Sequence, residues 1–90
     1  MEYIKLLWEH DLADEPTSIL CEVNAENERL AERSIDIYRD GRTNHISDPY
    51  AGVIEITPIP TVEEFNSNIY GEEFRACQIT KEEFDRIWAS

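Results

Sequence analysis

An Asp-Gly pair between two runs of alternating polarity is the feature of this sequence that most restricts its fold. Asp40-Gly41 is typical of a type I′ turn, because Gly has no Cβ and Asp can bond its own backbone, so both residues tolerate a positive φ. Residues 33–47 are therefore predicted to form a β-hairpin with a two-residue loop. Arg39 then faces Arg42, a like-charge pair that counts mildly against this register.

The register of the hairpin decides which side chains share a face of the sheet. A two-residue loop places Ile35 opposite Ile46 and Tyr38 opposite Thr43. Because side chains alternate along a strand, one face then carries isoleucines and the other carries polar and aromatic residues. The predicted apolar face consists of Ile35, Ile37 and Ile46, and the opposite face of Asp36, Tyr38, Thr43 and His45.

Two strand patterns precede the hairpin, over residues 2–10 and 17–25. Apolar and polar residues alternate in both, and an acidic connector that ends at Pro16 separates them. The connector is short, so antiparallel pairing is the simplest arrangement. Apolar side chains occur on both sides of the first strand, which predicts a central position in the sheet. Residues 26–32 are interpreted as a loop or turn with brief helical character.

Two capping boxes predict the helices of the C-terminal half. In each, a Thr hydroxyl accepts from the amide three residues on, and a Glu side chain reaches back to the Thr amide. Thr61 and Glu64 begin a short helix by this pattern, and Thr80 and Glu83 begin a terminal helix through Trp88. An apolar stripe on the terminal helix is predicted to face the core.

The complete pattern predicts an α+β domain over residues 1–90. Further strands are predicted at residues 53–57 and 72–79. The expected architecture is an antiparallel sheet of about four to five strands, with the short helix and the C-terminal helix packed on one face.

The net charge of −12 and the pI near 4.3 restrict function more than any motif does. No basic stripe is available to replace counterions on phosphates, which argues against nucleic-acid binding. The same charge argues against anionic membranes. It favours a basic protein partner, which opposite charge would steer toward the chain. The plainer interpretation is that acidity keeps a small protein soluble.

The charge is unevenly distributed along the chain. Residues 1–28 hold eight acids and one base, and residues 48–90 hold nine acids and three bases. Residues 29–47 hold three acids and four bases. The predicted hairpin is therefore a nearly neutral centre between two acidic flanks.

The sequence contains no catalytic signature, and no catalytic, cofactor-binding or metal-binding residue is assigned. His10 with Asp11, Asp14 and Glu15 offers nitrogen and oxygen ligands, but acidic turns are usually just solvated. His45 is predicted to lie near Asp36 across the hairpin, where the two could form a pH-sensitive pair, although an ordinary cross-strand pair on the surface is the preferred interpretation.

Cysteine usage and the N-terminus favour a reducing compartment. Cys21 and Cys77 lie in apolar strand patterns and are expected to be buried free thiols. They could form a disulfide only if their strands were neighbours. The first residues lack a basic leader and an apolar signal core, and no apolar run is long enough to span a bilayer. The expected location is cytoplasmic.

Several segments in a fixed order resemble one known family. They are Tyr3-Ile4-Lys5 with Trp8, Asp14-Glu15-Pro16, Tyr38-Arg39-Asp40-Gly41-Arg42, Pro58-Ile59-Pro60, Phe74-Arg75-Ala76, and Ile79-Thr80-Lys81-Glu82-Glu83-Phe84 with Trp88. Together they resemble a small bacterial family of single-domain proteins, about 90 residues long and of unknown function, over nearly the whole chain. The motifs are structural rather than chemical, so the resemblance implies no specific task.

In size and acidity the chain also resembles the immunity proteins of bacterial toxin–immunity pairs. The sequence therefore predicts a non-enzymatic acidic binding protein with a basic protein partner and no nucleic-acid or membrane partner. In its most specific form, the prediction is an immunity protein that neutralises a cognate toxin, a nuclease, as in contact-dependent growth inhibition. The alternative is a general interaction or accessory module with another partner. A third hypothesis, a small enzyme or metal-dependent protein, would need a pocket or a metal at His10 or His45.

The residues predicted to contact the partner come from the acidic loops and from aromatics in polar loops, since exposed aromatics supply anchor area. They are Asp11, Asp14, Glu15, Asp48, Tyr50 and Tyr70.

Overall fold

The computed structural model describes residues 1–51 and 57–90, in which five strands and two helices follow one another. The elements are β1 (Glu2–Trp8), β2 (Ser18–Asn24), β3 (Leu30–Ile37), β4 (Thr43–Ile46), α1 (Val62–Asn66), β5 (Phe74–Gln78) and α2 (Lys81–Ala89). All strand pairs are antiparallel, and the order across the sheet is β4-β3-β2-β1-β5. This is the predicted α+β class. Apart from Thr57, the strand predicted at residues 53–57 lies outside the described residues.

Strand β1 lies inside the sheet, between β2 and β5, as its sequence predicted. Its consecutive residues Tyr3 and Ile4 are only 8% and 1% exposed, although they point to opposite faces. Both faces of the sheet must therefore be covered at this strand.

The two helices meet this requirement by packing on opposite faces. Helix α2 covers the face where Phe84 joins Tyr3, Leu20 and Ile35 in one buried cluster. Partly buried residues of α1 and the segment before it pack against the second cluster, Ile4, Val23 and Ala76. The prediction that both helices share one face is therefore wrong. Apolar residues on both sides of β1 require a covering layer on each face of the sheet, and each helix supplies one of the two layers.

Both helices begin at the predicted threonines. At α1 the Glu64 amide donates to the Thr61 hydroxyl at 3.1 Å and the Thr61 amide donates to the Glu64 carboxylate at 3.0 Å, so the capping box is complete. At α2 the Glu83 amide donates to the Thr80 hydroxyl at 3.1 Å. Among the described residues, the second capping box has this hydrogen bond but not the return bond from the Thr80 amide to the Glu83 carboxylate.

The hairpin of β3 and β4 is confirmed, but its predicted turn type and register are wrong. Asp40 lies outside the positive-φ region and only Gly41 enters it, at φ 92°. The Tyr38 amide donates to the Arg42 carbonyl at 2.9 Å, and the Gly41 amide donates to the Tyr38 carbonyl at 3.0 Å. These bonds enclose a three-residue loop, the type in which a Gly with positive φ completes a tight turn.

The extra loop residue shifts the pairing of β3 and β4 by one position. Ile35 lies opposite His45, and Ile37 opposite Thr43. His45 and Thr43 therefore share the α2 face with these isoleucines, and Ile46 points to the other face. The longer loop also separates the two arginines that the predicted register placed face to face.

The turn type predicted for the β3–β4 hairpin, with positive φ at both central residues, occurs in the connection between β2 and β3. Glu28 and Arg29 both have φ 57°, and the Leu30 amide donates to the Asn27 carbonyl at 3.1 Å. Residues other than Gly or Asn rarely adopt this conformation. Arg29 is held there by an ion pair with Glu2 and by donation from its Nε to a carbonyl oxygen of the segment before α1.

A partly buried ion pair connects β2 to β3 beneath α2. The Arg33 guanidinium donates to both carboxylate oxygens of Glu22, at 2.9 and 2.8 Å. Tyr3 in β1 donates its hydroxyl to the same carboxylate at 3.0 Å. Arg33 also donates to Asp85 of α2 at 3.0 Å. One guanidinium thus connects β2, β3 and α2 directly, and it reaches β1 through Glu22.

The aromatic residues of α2 enclose this guanidinium. Its central carbon lies 4.9 Å from the ring centroid of Phe84 and 4.8 Å from that of Trp88. Cation–π attraction therefore adds to the hydrogen bonds and fixes α2 on the sheet.

Arg33→Met is expected to lower the free energy of unfolding at pH 7 by about 2–3 kcal/mol, because it leaves the Glu22 carboxylate without its cation. Hydrogen bonding from Arg33 holds the pKa of Glu22 below its ordinary 4.5. This stabilisation is therefore fully present above about pH 4.5 and is lost as the pH falls through the folded pKa. Urea denaturation between pH 7 and pH 3 measures both effects.

The matched control is Arg42→Met, which removes the exposed ion pair with Asp40 and is expected to cost less than about 0.5 kcal/mol. Equal losses for the two variants would contradict the anchoring role of Arg33. Adding Glu22→Gln to Arg33→Met is expected to recover part of the loss, since the unpaired charge is then removed.

Candidate partner-binding surface

Three connections lie at one end of the sheet. Strands β1 and β3 end there, and because their neighbours are antiparallel, β2, β4 and β5 begin there. The connections are residues 9–17 between β1 and β2, residues 38–42 between β3 and β4, and residues 67–73 before β5. We call these three segments together the loop end. The Glu9 amide donates to the Glu73 carbonyl at 2.9 Å, and Arg39 donates to the His10 carbonyl at 2.5 Å. The three segments therefore form one continuous surface.

His10 fixes the conformation of the first segment. The Leu12 amide donates to its Nδ1 at 3.0 Å, so Nδ1 is unprotonated and Nε2 donates to the Pro16 carbonyl at 2.8 Å. The ring also packs against Trp8, with centroids 4.1 Å apart. Both ring nitrogens are occupied by backbone groups, so His10 acts as a clamp on the loop.

Exposed carboxylates dominate the charge of the loop end. Of its seven carboxylates, Asp40 pairs with Arg42, and the other six form no ion pair with another described residue. The arginines nearby are engaged elsewhere: Arg42 pairs with Asp40, and Arg75 donates to Asn68. The six carboxylates are Glu9, Asp11, Asp14, Glu15, Glu72 and Glu73.

Large apolar side chains lie exposed among these carboxylates. Leu12 is 54% exposed, Ile69 67% and Tyr70 45%, and all three belong to the loop end. A single exposed apolar residue is ordinary, but several grouped at one end of a small domain are typical of an interaction surface. The Tyr70 ring packs on Phe65 of α1, with centroids 5.6 Å apart, which limits its motion.

The structure separates the six predicted contact residues into two groups. Four of them, Asp11, Asp14, Glu15 and Tyr70, lie in the loop end. Asp48 and Tyr50 follow β4 at the opposite end of the sheet.

Tyr50 has a local structural role. Its hydroxyl accepts from the Ala31 amide at 2.9 Å and donates to the Thr57 carbonyl at 3.3 Å. Ala31 precedes an irregularity where β3 carries one residue more than β2, and Tyr50 provides a partner for its amide. Sequence reasoning missed Leu12 and Ile69, whose signal was an apolar residue within a polar loop.

The predicted pair of His45 and Asp36 is wrong, because the shifted register places them on opposite faces. The His45 ring stacks on Trp88 with centroids 5.3 Å apart. Asp36 lies on the other face, where burial, and to a lesser extent Glu15, raise the pKa of its carboxyl.

The two cysteines are free and cannot form a disulfide with each other. They lie on strands that flank β1, where Cys21 is opposite Ile4 and Cys77 opposite Lys5. Consecutive β1 residues point to opposite faces, so the two thiols do as well. Burial raises the pKa of Cys21 to about 12, which keeps that thiol unreactive. Cys77 is exposed, contrary to the prediction of two buried thiols.

No enclosed pocket is found in residues 1–51 and 57–90. The described helices are also too short and too polar to cross a membrane. Among these residues no three potential metal ligands are grouped together.

Comparison with known proteins identifies the family of the chain. A family profile described as "Domain of unknown function (DUF6881)" matches residues 2–90. The chain therefore belongs to this family, and the resemblance drawn from its segments is confirmed. No curated protein and no solved structure matches the chain.

Asp36→Asn is expected to raise the free energy of unfolding at pH 7 by about 0.5 kcal/mol, a size typical of a partly solvated charge. Since the folded pKa of Asp36 is raised, the charged carboxylate disfavours folding above that pKa. The gain should vanish near about pH 3, below the ordinary value of 3.8, where the carboxyl is protonated in both states. Denaturation at the two pH values measures the difference.

Asp40→Asn is the matched control and should have the opposite sign at pH 7. The pKa of Asp40 is lowered, first by the backbone amide of Arg42, so the substitution removes a favourable charge. A stabilising effect of both substitutions would show that general charge repulsion, rather than the burial of Asp36, is responsible.

Proposed function

We propose that this chain is a non-enzymatic binding protein that neutralises a basic partner protein by covering it with the loop end. The observation that carries the proposal is the coincidence of unpaired carboxylates with the exposed Leu12, Ile69 and Tyr70 on one surface. An acidic face alone would serve solubility equally well. The grouped apolar side chains add a feature that solubility disfavours.

Charge supports a basic partner. The chain carries −12, and of the seven carboxylates in the loop end only Asp40 forms an ion pair, with Arg42, among the described residues. Such a surface attracts a basic protein over a distance of about one Debye length and accelerates encounter. The acids of this surface therefore act mainly on the rate of association.

The apolar side chains supply the short-range part of binding. Interfaces concentrate their energy in a few apolar or aromatic anchors that become fully desolvated, with charged groups around them. Tyr70, held against Phe65, is suited to be such an anchor, because little side-chain entropy is lost when it binds. Dissociation should therefore depend on Tyr70 more than on the acids.

In its most specific form the proposal is that the partner is a bacterial toxin of the nuclease class and that the chain is its immunity protein. A nuclease needs a basic surface to bind phosphates, and carboxylates on a preformed loop can occupy the same positions. The backbone clamp at His10 supports this role, since it orders the loop before binding.

A general interaction module is the second candidate, and the same exposed apolar residues favour it. A partner without basic character would bind through Leu12, Ile69 and Tyr70 alone. Its affinity would then be nearly independent of ionic strength, whereas the immunity proposal requires affinity to fall as salt rises.

The first test is capture of the partner with tagged protein from a lysate of the native host, identified by mass spectrometry. The proposal is supported if a basic protein that contains a nuclease domain is recovered in equimolar amount and the chain inhibits its activity. Recovery of an acidic or neutral partner contradicts the electrostatic part, and a partner whose activity is unaffected contradicts neutralisation.

Removing three charges from the loop end, Asp11→Asn with Asp14→Asn and Glu15→Gln, is expected to slow association about ten-fold at low salt. The matched control removes three charges from the opposite end, Glu26→Gln with Glu28→Gln and Asp48→Asn, and should slow it less than about two-fold. Stopped-flow or surface-based kinetics with the captured partner measures both. Equal slowing by the two variants would show that net charge, and not the loop end, governs encounter.

A further inference from the structure

The two edges of the sheet differ in how their outer backbone groups are used. In β5 the residues Phe74, Ala76 and Gln78 point their backbone groups away from β1, since the alternating residues pair with it. The Asn66 side chain donates to the Ala76 carbonyl at 2.9 Å and accepts from the Ala76 amide at 2.8 Å. The Phe74 amide donates to the Gly71 carbonyl at 3.3 Å. Edge β5 is thus blocked by its own chain at Phe74 and Ala76, a recognised protection against strand addition.

The opposite edge, β4, has no such partner among residues 1–51 and 57–90. The Tyr38–Arg42 bond fixes the alternation along this pair, so Asn44 and Ile46 bond to β3. Thr43 and His45 then direct their amides and carbonyls outward. Both residues are exposed.

The charge of the chain makes β4 the place where two copies meet with least repulsion. Residues 43–47 contain no Asp, Glu, Lys or Arg, and the segment 29–47 around them carries four bases against three acids. The other two segments of the chain are both strongly acidic. Two copies therefore approach most easily through their β4 edges.

We propose that two copies of this chain form a dimer by antiparallel pairing of their β4 edges about a two-fold axis. Asn44 faces Asn44 of the second copy on the axis, and Thr43 pairs with His45 of the second copy on either side. This register uses the outward groups of both residues and forms about four backbone hydrogen bonds. Because β5 is blocked at Phe74 and Ala76 and the two-fold axis uses both β4 edges, pairing ends at the dimer and does not continue as a fibre.

The dimer goes beyond the proposed function and is compatible with it. Strand β4 lies at the far edge from β1 and β5, whose connections carry the apolar part of the loop end. Each copy can therefore pair through β4 and still present its loop end. The two associations also respond to salt in opposite directions, because like net charges repel while unlike charges attract.

Sedimentation equilibrium tests the dimer with purified protein alone. At concentrations on the order of 1 mM in about 500 mM NaCl, the mass should approach twice that of the chain, and it should fall at about 50 mM NaCl. Asn44→Lys and Asn44→Asp each place like charges opposite one another on the axis, so each variant should be monomeric. An equimolar mixture of the two should restore a dimer, since the facing charges are then opposite.

Asn27→Lys is the matched control, because it makes the same charge change at the opposite end of the sheet and should dimerise like the wild type. The mixture separates loss of pairing from loss of folding, since misfolded chains would not recover. A wild-type protein that stays monomeric at high salt overturns the proposal. So does a dimer that both Asn44 variants leave intact. Neither result affects the binding of a basic partner at the loop end.

Discussion

The guanidinium of Arg33 lies where β2, β3 and α2 meet, and the arrangement of the domain depends on it. Its bidentate bond to Glu22 places a charged pair under the aromatic rings of α2. Because the Glu22 carboxylate is buried, the pair adds little stability relative to apolar packing, but an arrangement that removes Arg33 from Glu22 is disfavoured. Asp85 of α2 accepts a further hydrogen bond from Arg33 in the observed placement of the helix. We therefore attribute the fixed position of α2 to this pair.

This anchoring has consequences for the rest of the sheet. With α2 fixed over Tyr3, the opposite face at Ile4 remains for α1 and the segment before it. Helix α1 then delivers Asn66 to the edge of β5 and Phe65 to the ring of Tyr70. Helix α1 therefore covers the core and also positions two side chains outside it. Asn66 blocks part of the β5 edge, and Phe65 supports Tyr70 in the loop end.

The sequence predicted those parts of the fold that depend on local periodicity and capping. Alternation identified β1, β2 and β5, and Thr61 and Thr80 were found as helix starts. The hairpin register was wrong because Asp-Gly suits both a two-residue loop and a three-residue loop that ends in Gly. The one-residue difference in loop length places His45 and Ile46 on the faces opposite to those predicted. The alternation in β1 indicated that both faces of the sheet are covered, but which helix covers which face depends on long-range packing that periodicity does not encode.

Only part of the candidate surface could be predicted, because the rest of it forms through long-range pairing of strands. Its carboxylates were visible as an acidic connector, but their junction with residues 67–73 arises from the pairing of β1 with β5. The role of Tyr50 depended on an unpaired amide in β3, which no sequence pattern displays. The proposed class of partner therefore rests on charge, and the proposed binding surface rests on the fold.

Hydrogen exchange of the chain, alone and bound to the captured partner, tests the central claim most directly. The account predicts slowed exchange of amides in residues 9–17 and 67–73 on binding, with residues 25–29 and 47–51 unchanged. Those last two segments lie at the opposite end of the sheet and serve as the internal reference. Protection confined to that opposite end would contradict the assignment of the loop end as the binding surface.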